Sequence, residues 1–357
     1  MRTVKLQAVG LDPGFGNVKV ATERSVVVMP SLVAVPRKVG LAASGLRVAK
    51  ATIVRMQGQE YAVGSGAPLR GVAYESIDDM RFVTSPTIAL MLGALAKALD
   101  GQGGQVGLMV GLPVSVLEGS GRSENVTRAA RQRLLGCHTV EVDGIPMTLD
   151  IKRVWIRAQP LGVWADWAVT PDGSLLTGAR KALVGIVDIG FNTVDLLGIE
   201  GGQAHLGMMA GADLGVRLLL EQAAGDQDLP YHELLRRYTE GTLTVGEEIV
   251  ARWASEVASF IRRRWAGIRP SLTIMAGGGV ALLRERGLLD QLRRAVRCDV
   301  HIPTDPIAAG ARGLQKLGAA LLARQQAQKD DFEHRQEEGA DAQATVQEGA
   351  HQPAGDP

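Results

Sequence analysis

Two short acidic turns carry the residues of this sequence that are best placed to do chemistry. The first reads Asp12-Pro13-Gly14-Phe15-Gly16-Asn17-Val18-Lys19, and the second reads Asp188-Ile189-Gly190-Phe191-Asn192-Thr193-Val194-Asp195. Both contain an aspartate, a glycine two positions later, a phenylalanine after it, and a valine before a final charged residue. Glycine and asparagine tolerate the positive φ angles that tight hairpin turns require. A single turn of this kind indicates only a hairpin, so the information lies in its repetition.

A pair of related turns is suited to binding a polyphosphate. Consecutive backbone N–H groups in a turn can surround phosphate oxygens, and two aspartates can hold Mg²⁺, often through its waters. The apolar segments 184–187 and 193–197 predict strands on either side of the second turn. The repeat therefore predicts two related domains, each beginning with a meander of strands whose first turn faces its counterpart. The alternative is two unrelated hairpins.

Length, charge and cysteine content limit the class of protein. The chain has 357 residues, long enough for two domains, and its formal net charge of +1 does not favour a strongly basic nucleic-acid binder. Cys137 and Cys298 lack the spacing of a zinc site or a disulfide framework. No signal-like segment and no membrane-spanning apolar run is evident. We expect a cytoplasmic protein that binds neither nucleic acid nor membrane directly.

The order of strand and helix patterns predicts an α/β protein in two parts. The first part covers residues 1–170 and the second covers 171–324. Short Val-, Gly- and Arg-rich segments between residues 31 and 73 show no helical period and indicate a β-rich insertion. Residues 325–357 contain almost no large apolar side chains, so we expect a disordered tail.

Three further segments stand out when they are placed in order with the two turns. Gln159-Pro160 precedes a predicted helix, Gly277-Gly278-Gly279 follows a predicted buried strand, and residues 305–313 begin a final predicted helix. This combination resembles the actin-like ATPase superfamily, which also contains sugar kinases and the Hsp70 chaperones. Within it, the sequence is most similar to the ParM/StbA group of plasmid-segregation proteins. The resemblance covers roughly residues 6–320.

The resemblance implies a fold and its ligands. The fold would consist of two RNase H-like domains with ATP and Mg²⁺ in the cleft between them. Each domain would contain a small inserted subdomain, at about residues 33–73 in the first and about 215–267 in the second.

The resemblance also implies roles for individual residues. Asp12 and Asp188 would bind Mg²⁺ and act in catalysis together with Gln159, which would orient the attacking water. The implied nucleotide-binding residues are Gly14, Phe15, Gly16, Asn17 and Lys19 in the first loop, Gly190, Phe191, Asn192 and Thr193 in the second, and Gly277, Gly278 and Gly279 beside the adenosine. Many relatives have a second glycine at the position of Phe191, so Phe15 and Phe191 are interpreted as paired aromatic supports behind the turns.

The leading interpretation is an ATPase that assembles into filaments for plasmid or DNA segregation, with a DNA-binding adaptor as partner. Because the amide of Gln159 is a poor proton acceptor, hydrolysis should be slow. One alternative is a small-molecule kinase with Asp166 or Asp195 as its base. Another is a nucleotide-dependent regulator that does not polymerise. The sequence does not choose between ATP and GTP.

Overall fold

The computed structural model describes residues 6–37, 50–76, 78–117 and 122–349. The portion of the predicted insertion at residues 38–49 and the end of the predicted tail at 350–357 lie outside the described residues. Within the described ranges the protein is a mixed α/β structure with one sheet of ten strands and one of five. The predicted α/β fold class is therefore confirmed.

The first sheet is built from strands of the first part of the chain. Its strands are β1 (Gln7–Pro13), β2 (Asn17–Ala21), β3 (Val26–Pro30), β4 (Val33–Pro36), β5 (Thr52–Met56), β6 (Gln59–Val63), β7 (Gly71–Tyr74), β8 (Gly104–Leu112), β9 (Gly136–Val142) and β10 (Ile145–Ala158). They lie in the order β3-β2-β1-β8-β10-β9-β5-β6-β4-β7. β1, β8 and β10 are parallel neighbours, whereas β2 and β3 continue β1 as an antiparallel meander.

The second sheet has the topology of one half of the first. Its strands are β11 (Leu183–Ile189), β12 (Val194–Glu200), β13 (Gln203–Ala212), β14 (Leu272–Ala276) and β15 (Asp299–His301), in the order β13-β12-β11-β14-β15. A three-stranded antiparallel meander is again followed by two parallel strands. The order matches β3-β2-β1-β8-β10 strand for strand, so the repeat predicted from the two acidic turns is present in the fold.

Ten α-helices connect the strands in the described part of the chain. Their bounds are α1 (Ser85–Ala98), α2 (Val114–Leu117), α3 (Arg122–Leu134), α4 (Gln159–Ala168), α5 (Val216–Ala224), α6 (Tyr231–Thr239), α7 (Glu247–Arg264), α8 (Gly278–Glu285), α9 (Asp290–Val296) and α10 (Ala309–Gly349). Short 3-10 helices occupy Ala67–Leu69, Asp79–Val83 and Gly178–Arg180. Helix α1 packs against the first sheet with nearly all of its residues buried, which explains its Ala- and Leu-rich composition.

The predicted insertion is continuous with the first sheet. Strand β5 pairs with β9, and β9 pairs with the first half of the long strand β10. Residues 149–158 of β10 pair with β8, with a register shift between Ile151 and Arg153. The equivalent region of the second part is helical, because α5, α6 and α7 lie within residues 215–267. The exact limits of the two small subdomains stay predictions.

The C-terminal region differs from the expectation of a disordered tail. Helix α10 continues from Ala309 to Gly349, so residues 325–349 are helical. The segment has almost no large apolar residues, but it is rich in Gln, Ala and Glu, which have high intrinsic helix propensity. Composition excluded a packed core for this segment and did not exclude a helix.

Two helices cross between the parts of the molecule. Val163 and Trp164 of α4 pack in one apolar cluster with Val184 and Ile186 of β11, so a helix that follows the first sheet covers the second. Helix α10 lies against the first sheet in return, where a Cβ on Gly10 would be 2.1 Å from the carbonyl oxygen of Ala311. Helix α4 therefore belongs to the first part by the predicted boundary at residue 170, although it packs on the second sheet.

The crossing of α4 and α10 depends on close backbone contact. A Cβ on Gly313 would lie 1.7 Å from the carbonyl oxygen of Gly162. Gly318, five residues further along the same helix, would place a Cβ 3.6 Å from Ala8 and Met109, which is ordinary contact. The two glycines thus make different demands on the same helix.

We expect Gly313→Ala to destabilise the protein by about 2 to 4 kcal/mol, because the helices would have to separate. Gly318→Ala should leave the stability unchanged or raise it by up to about 1 kcal/mol through helix propensity. Urea unfolding of both variants measures the difference. Equal effects of the two substitutions would contradict this account of the crossing.

Candidate functional site

A cavity of about 250 Å³ lies where the ends of β1 and β11 approach each other. Fourteen of the fifteen residues predicted for the site line this cavity. They are Asp12, Gly14, Phe15, Gly16, Asn17, Lys19, Gln159, Asp188, Gly190, Phe191, Asn192, Thr193, Gly277 and Gly278. Only Gly279 is absent from the lining. The two turns and the two later motifs are thus brought together by the fold.

Both carboxylate oxygens of Asp12 accept hydrogen bonds from side chains of the site. Asp12 lies near the end of β1 opposite Lys19 of β2, whose Nζ donates to Asp12 Oδ2 at 2.8 Å. Gln159, the first residue of α4, donates from Nε2 to Asp12 Oδ1 at 2.8 Å. Asp12 is 4% exposed and Gln159 is 8% exposed. The carboxylate therefore connects the first sheet to the helix that leads into the second.

Asp188 is the second carboxylate of the cavity, and its pKa is raised. Burial raises the pKa of its carboxyl to about 6; the charge of Lys19 lowers it, and that of Asp12 raises it further. Burial also opposes the charge of Lys19, but Asp12 and Asp188 outweigh it and raise the pKa of the lysine. Two carboxylates and one ammonium group thus share the cavity, and a bound cation would relieve the repulsion between the carboxylates.

The carboxylates of Asp12 and Asp188 are suited to bind Mg²⁺ together with oxygen atoms of a bound phosphate or of water. Within the described ranges, no group of three or more His, Cys, Asp or Glu side chains could enclose a metal ion. Mg²⁺ in proteins commonly binds one or two carboxylates and completes its shell with waters and phosphate oxygens. Asp12 and Asp188 provide the two carboxylates of that arrangement, and the described residues offer no larger set of such ligands that could hold the ion by themselves.

Ser31 holds the first turn from behind. Its Oγ donates to the carbonyl oxygen of Gly14 at 2.6 Å, and its backbone N–H donates to that of Gly16 at 2.9 Å. In a trans peptide the N–H of the next residue points opposite to the carbonyl, so the N–H groups of Phe15 and Asn17 point away from Ser31. Both residues line the cavity. The amide edge of the first turn therefore borders the cavity.

The N-terminus of α5 holds the second turn in the same way. The N–H groups of residues 215–217 donate to the carbonyl oxygens of residues 190–192, with distances of 2.7 and 3.1 Å. Arg217 Nε also donates to the side-chain oxygen of Asn192 at 2.8 Å. The N–H groups of residues 191–193 consequently point away from α5, on the side of the turn that lines the cavity. Two amide edges from different sheets thus border one space, which is the geometry of an anion site.

The glycines of the turns serve close approach instead of an unusual backbone conformation. None of Gly14, Gly16, Gly190 and Asn192 has a positive φ, so the expectation of left-handed turn residues is wrong. A Cβ on Gly16 would lie 2.7 Å from Phe191 Cβ, because the two turns touch at this point. Glycine is required there by the contact between the halves of the molecule.

The three glycines after β14 have three different roles. Gly277 has φ +94°, and a Cβ there would lie 2.5 Å from Asp188 Oδ1, so conformation and space both require glycine. A Cβ on Gly278 would meet nothing within 4 Å, which leaves its cavity side open. A Cβ on Gly279 would lie 2.2 Å from Ile189 Cγ2, so this glycine allows α8 to pack on β11. Gly279 is predicted to lie beside the nucleotide, but it faces Ile189 and does not line the cavity.

Asp195 occupies the position in β12 that corresponds to Lys19 in β2. It lies opposite Asp188 in the strand pair and is 2% exposed. Its Oδ1 accepts a hydrogen bond from the N–H of Val114 at 3.0 Å, and its Oδ2 accepts one from Thr193 Oγ1 at 2.7 Å. The carboxylate therefore ties the second turn to the start of α2 in the first part of the chain.

Sequence reasoning missed the residues that support or close the cavity from a distance. Ser31 and Gly215 belong to no motif, although a Cβ on Gly215 would lie 2.4 Å from the carbonyl oxygen of Phe191. The remaining wall residues come mainly from α5, α6 and α8: Val216, Leu235, Tyr238, Ala281, Leu282, Glu285 and Ile307. Leu235 and Tyr238, three positions apart on α6, offered a helical period as their only signal.

Comparisons with known proteins agree with this architecture. Residues 10–162 match the family described as "Actin like proteins N terminal domain". No curated protein matches the chain. The apo structure of the psk41 ParM protein is 16% identical with a TM-score of 0.67, over 89% of this chain and 98% of that one.

Two further solved structures have the same fold. The archaeal actin homologue Ta0583 in complex with ADP is 19% identical with a TM-score of 0.62, over 89% of this chain and 99% of its own. The Alp12 filament structure is 14% identical with a TM-score of 0.55, over 88% of this chain and 99% of its own. The N-terminal part of the chain thus matches the actin-like family model, and the chain as a whole has the fold of these structures. Its architecture is close to that of ParM.

No helix in the described part of the chain combines the length and the apolar character needed to cross a bilayer.

We expect Asp188→Asn to stabilise the protein at pH 7.5 in the absence of nucleotide and Mg²⁺. Because burial raises the carboxyl pKa from 3.8 to about 6, ionisation destabilises the folded state. The gain should be at most about 3 kcal/mol, at roughly 1.4 kcal/mol per pKa unit.

The pH dependence of this effect has a definite sign. Between the unfolded pKa near 3.8 and the folded value near 6, the native carboxyl keeps a proton that the unfolded chain releases. Wild-type stability relative to Asp188→Asn should therefore fall as the pH rises through this window, and the two should converge towards pH 4. Thermal melts across the range measure this, and a difference that is independent of pH would contradict it.

Proposed function

We propose that the protein binds Mg-ATP in this cavity, hydrolyses it slowly and assembles into filaments under control of the bound nucleotide. One observation carries the proposal. Two turns from topologically equivalent positions have their carbonyls held on the far side, so that both amide edges border a cavity that also contains Asp12, Asp188 and Lys19. A polyphosphate with its cation satisfies both kinds of group at once.

The phosphates are bound by backbone amides and by one lysine. The N–H groups near Phe15 and Phe191 would face the phosphate oxygens from opposite sides, and Lys19 supplies a positive charge next to Asp12. Asp12 and Asp188 are the residues that would hold Mg²⁺, which neutralises phosphate charge when it is bound. Phosphoryl transfer to water depends mainly on such neutralisation and on positioning.

Gln159 is placed to orient the attacking water. Its Nε2 donates to Asp12, so Oε1 is the amide atom that can accept a hydrogen bond from a water. An amide is a poor base, and it can orient a water more readily than deprotonate it. Turnover slower than about one per second is therefore expected, as in other enzymes that use glutamine in this role.

The nucleoside would lie beyond the phosphates, against α6 and α8. Gly277 and Gly278 let the backbone come close to it, and Leu235, Tyr238 and Leu282 provide apolar surface for a purine. The ADP complex of Ta0583 shows that a protein of this fold can bind an adenine nucleotide. ATP is therefore proposed as the ligand, with GTP as the competitor to test.

Assembly and biological role rest on the fold relatives. One of the similar structures is the Alp12 filament, and another is a ParM protein. We include in the proposal that this chain forms filaments in the cytoplasm for plasmid or DNA segregation, with a DNA-binding adaptor as its partner. The adaptor is invoked because the formal net charge of +1 does not favour strong direct binding to nucleic acid.

The kinase alternative receives less support from the geometry. Asp166 lies outside the cavity lining and pairs with Arg312 at 2.8 Å and Lys316 at 3.2 Å, where it fixes α4 to α10. Asp195 lines the cavity, but both of its oxygens accept hydrogen bonds from Val114 and Thr193. Neither carboxylate is arranged as a general base for a substrate hydroxyl.

Assembly should appear above a threshold protein concentration and only with Mg-ATP. We expect Asp188→Ala to abolish it, while Asp172→Ala, in an exposed turn, should behave as wild type. Pelleting and light scattering with Mg-ATP, Mg-ADP or no nucleotide measure this. ATP binding without assembly at any concentration would favour the non-polymerising regulator, and absence of nucleotide binding would refute the whole proposal.

Gly278→Gln should weaken ADP and ATP binding at least about tenfold, because the new side chain enters the open side of the cavity. Folding should be preserved, since Gln is a better helix former than Gly at the start of α8. Gly178→Gln is the matched control: its Cβ also meets nothing within 4 Å, and it does not line the cavity. Calorimetric titration and thermal melts test both variants. Unchanged affinity in Gly278→Gln would show that the nucleotide lies elsewhere.

A further inference from the structure

Arg81 is a buried cation that the proposed mechanism does not use. Arg81 is 3% exposed, and its Nε and Nη1 atoms make no hydrogen bond. Within the described part of the chain, it forms no ion pair with a carboxylate. Burial lowers the pKa of its guanidinium, as expected for a charge removed from water. An unsatisfied buried polar group of this kind is rare and requires an explanation.

The side chain lies directly behind the first phosphate turn. Its guanidinium carbon is 4.5 Å from the centre of the Phe15 ring and 5.7 Å from that of Phe82. The two rings meet edge to face, with centroids 5.6 Å apart. Phe15 lines the cavity and Arg81 does not, so one ring separates the buried charge from the cavity. Cation–π attraction to these rings offsets only part of the lost hydration.

The second phosphate turn reaches the same place from the other half of the molecule. Tyr231, the first residue of α6, interacts electrostatically with Arg81, and its hydroxyl lies 3.4 Å from the carbonyl oxygen of Tyr74. The ring of Tyr231 meets that of Phe191 edge to face at 6.3 Å. Phe15, Arg81, Tyr231 and Phe191 therefore form one series of contacts between the tips of the two turns.

A purely structural role does not account for the charge. Replacing buried charged groups by apolar groups of similar size is often neutral or stabilising, so a methionine could fill this space between aromatic rings. A cation retained without a carboxylate partner is understandable if an anion arrives later. The anion expected here is the phosphate chain, because Phe15 belongs to the turn that borders the cavity.

We propose that Arg81 is a positioning residue that makes the site prefer a nucleoside triphosphate over a diphosphate. The inference rests on the proposed nucleotide binding. The buried positive charge, held behind Phe15, is balanced by the additional negative charge of the γ-phosphate, since attraction between charges in a protein interior extends over several ångströms. It also favours the arrangement of Phe15, Tyr231 and Phe191 in which both turns close on the phosphates.

The test compares Arg81→Met with Arg81→Lys in the full chain. The measured quantities are the dissociation constants of Mg-ADP and of a non-hydrolysable Mg-ATP analogue, together with the melting temperature without nucleotide. Arg81→Met should reduce the preference for the ATP analogue over ADP about tenfold and should raise the nucleotide-free melting temperature. Arg81→Lys should keep most of the preference, because it keeps the charge.

Exposed Arg133→Met is the control for loss of an arginine elsewhere, and it should leave both constants unchanged. If Arg81→Met does not fold, Arg81→Gln provides the same comparison with a polar, uncharged side chain. Equal loss of affinity for both nucleotides, or an unchanged ratio with a lower melting temperature, would overturn the inference and leave Arg81 with a structural role. Absence of nucleotide binding to the wild type would instead refute the proposed function.

Discussion

The burial of two carboxylates in one cavity is the constraint on which the rest of the structure depends. Asp12 and Asp188 share Lys19, and Asp188 keeps a raised pKa of about 6. The site without ligand is therefore less stable than its surroundings, and a cation makes it more favourable. Each sheet must deliver one aspartate to the same point, which explains why the two sheets share a strand order and meet at their first turns.

The backbone around the carboxylates is organised to turn amides inward. Ser31 holds the carbonyls of one turn, and the start of α5 holds those of the other. Different elements thus solve the same problem in the two halves. The first half uses a single side chain on the strand-connecting loop, whereas the second uses a helix N-terminus, whose N–H groups need acceptors in any case. The result is a surface of backbone amides next to a pair of anionic side chains.

The cleft contains unbalanced charge of both signs. The carboxylates would be stabilised by a cation. The amide edges, Lys19 and the buried guanidinium of Arg81 would be stabilised by an anion. A metal complex of a polyphosphate carries both, which is a more specific requirement than either charge alone. The crossing of α4 and α10 joins the two parts beside these groups, and the glycines at the crossing, such as Gly162 and Gly313, allow the two backbones to lie in close contact.

The sequence by itself determined the chemistry-bearing turns, their repetition and the α/β class, because a strand that ends in Asp-x-Gly followed by a second strand is defined by neighbouring residues. It also located Gln159 and Gly277. Tertiary structure alone decided that Gly279 serves packing, that Ser31 supports a turn and that the guanidinium of Arg81 lies behind Phe15. Each of these depends on atoms that are distant in the chain and meet only when the sheets pack, so no local pattern of residues could encode them.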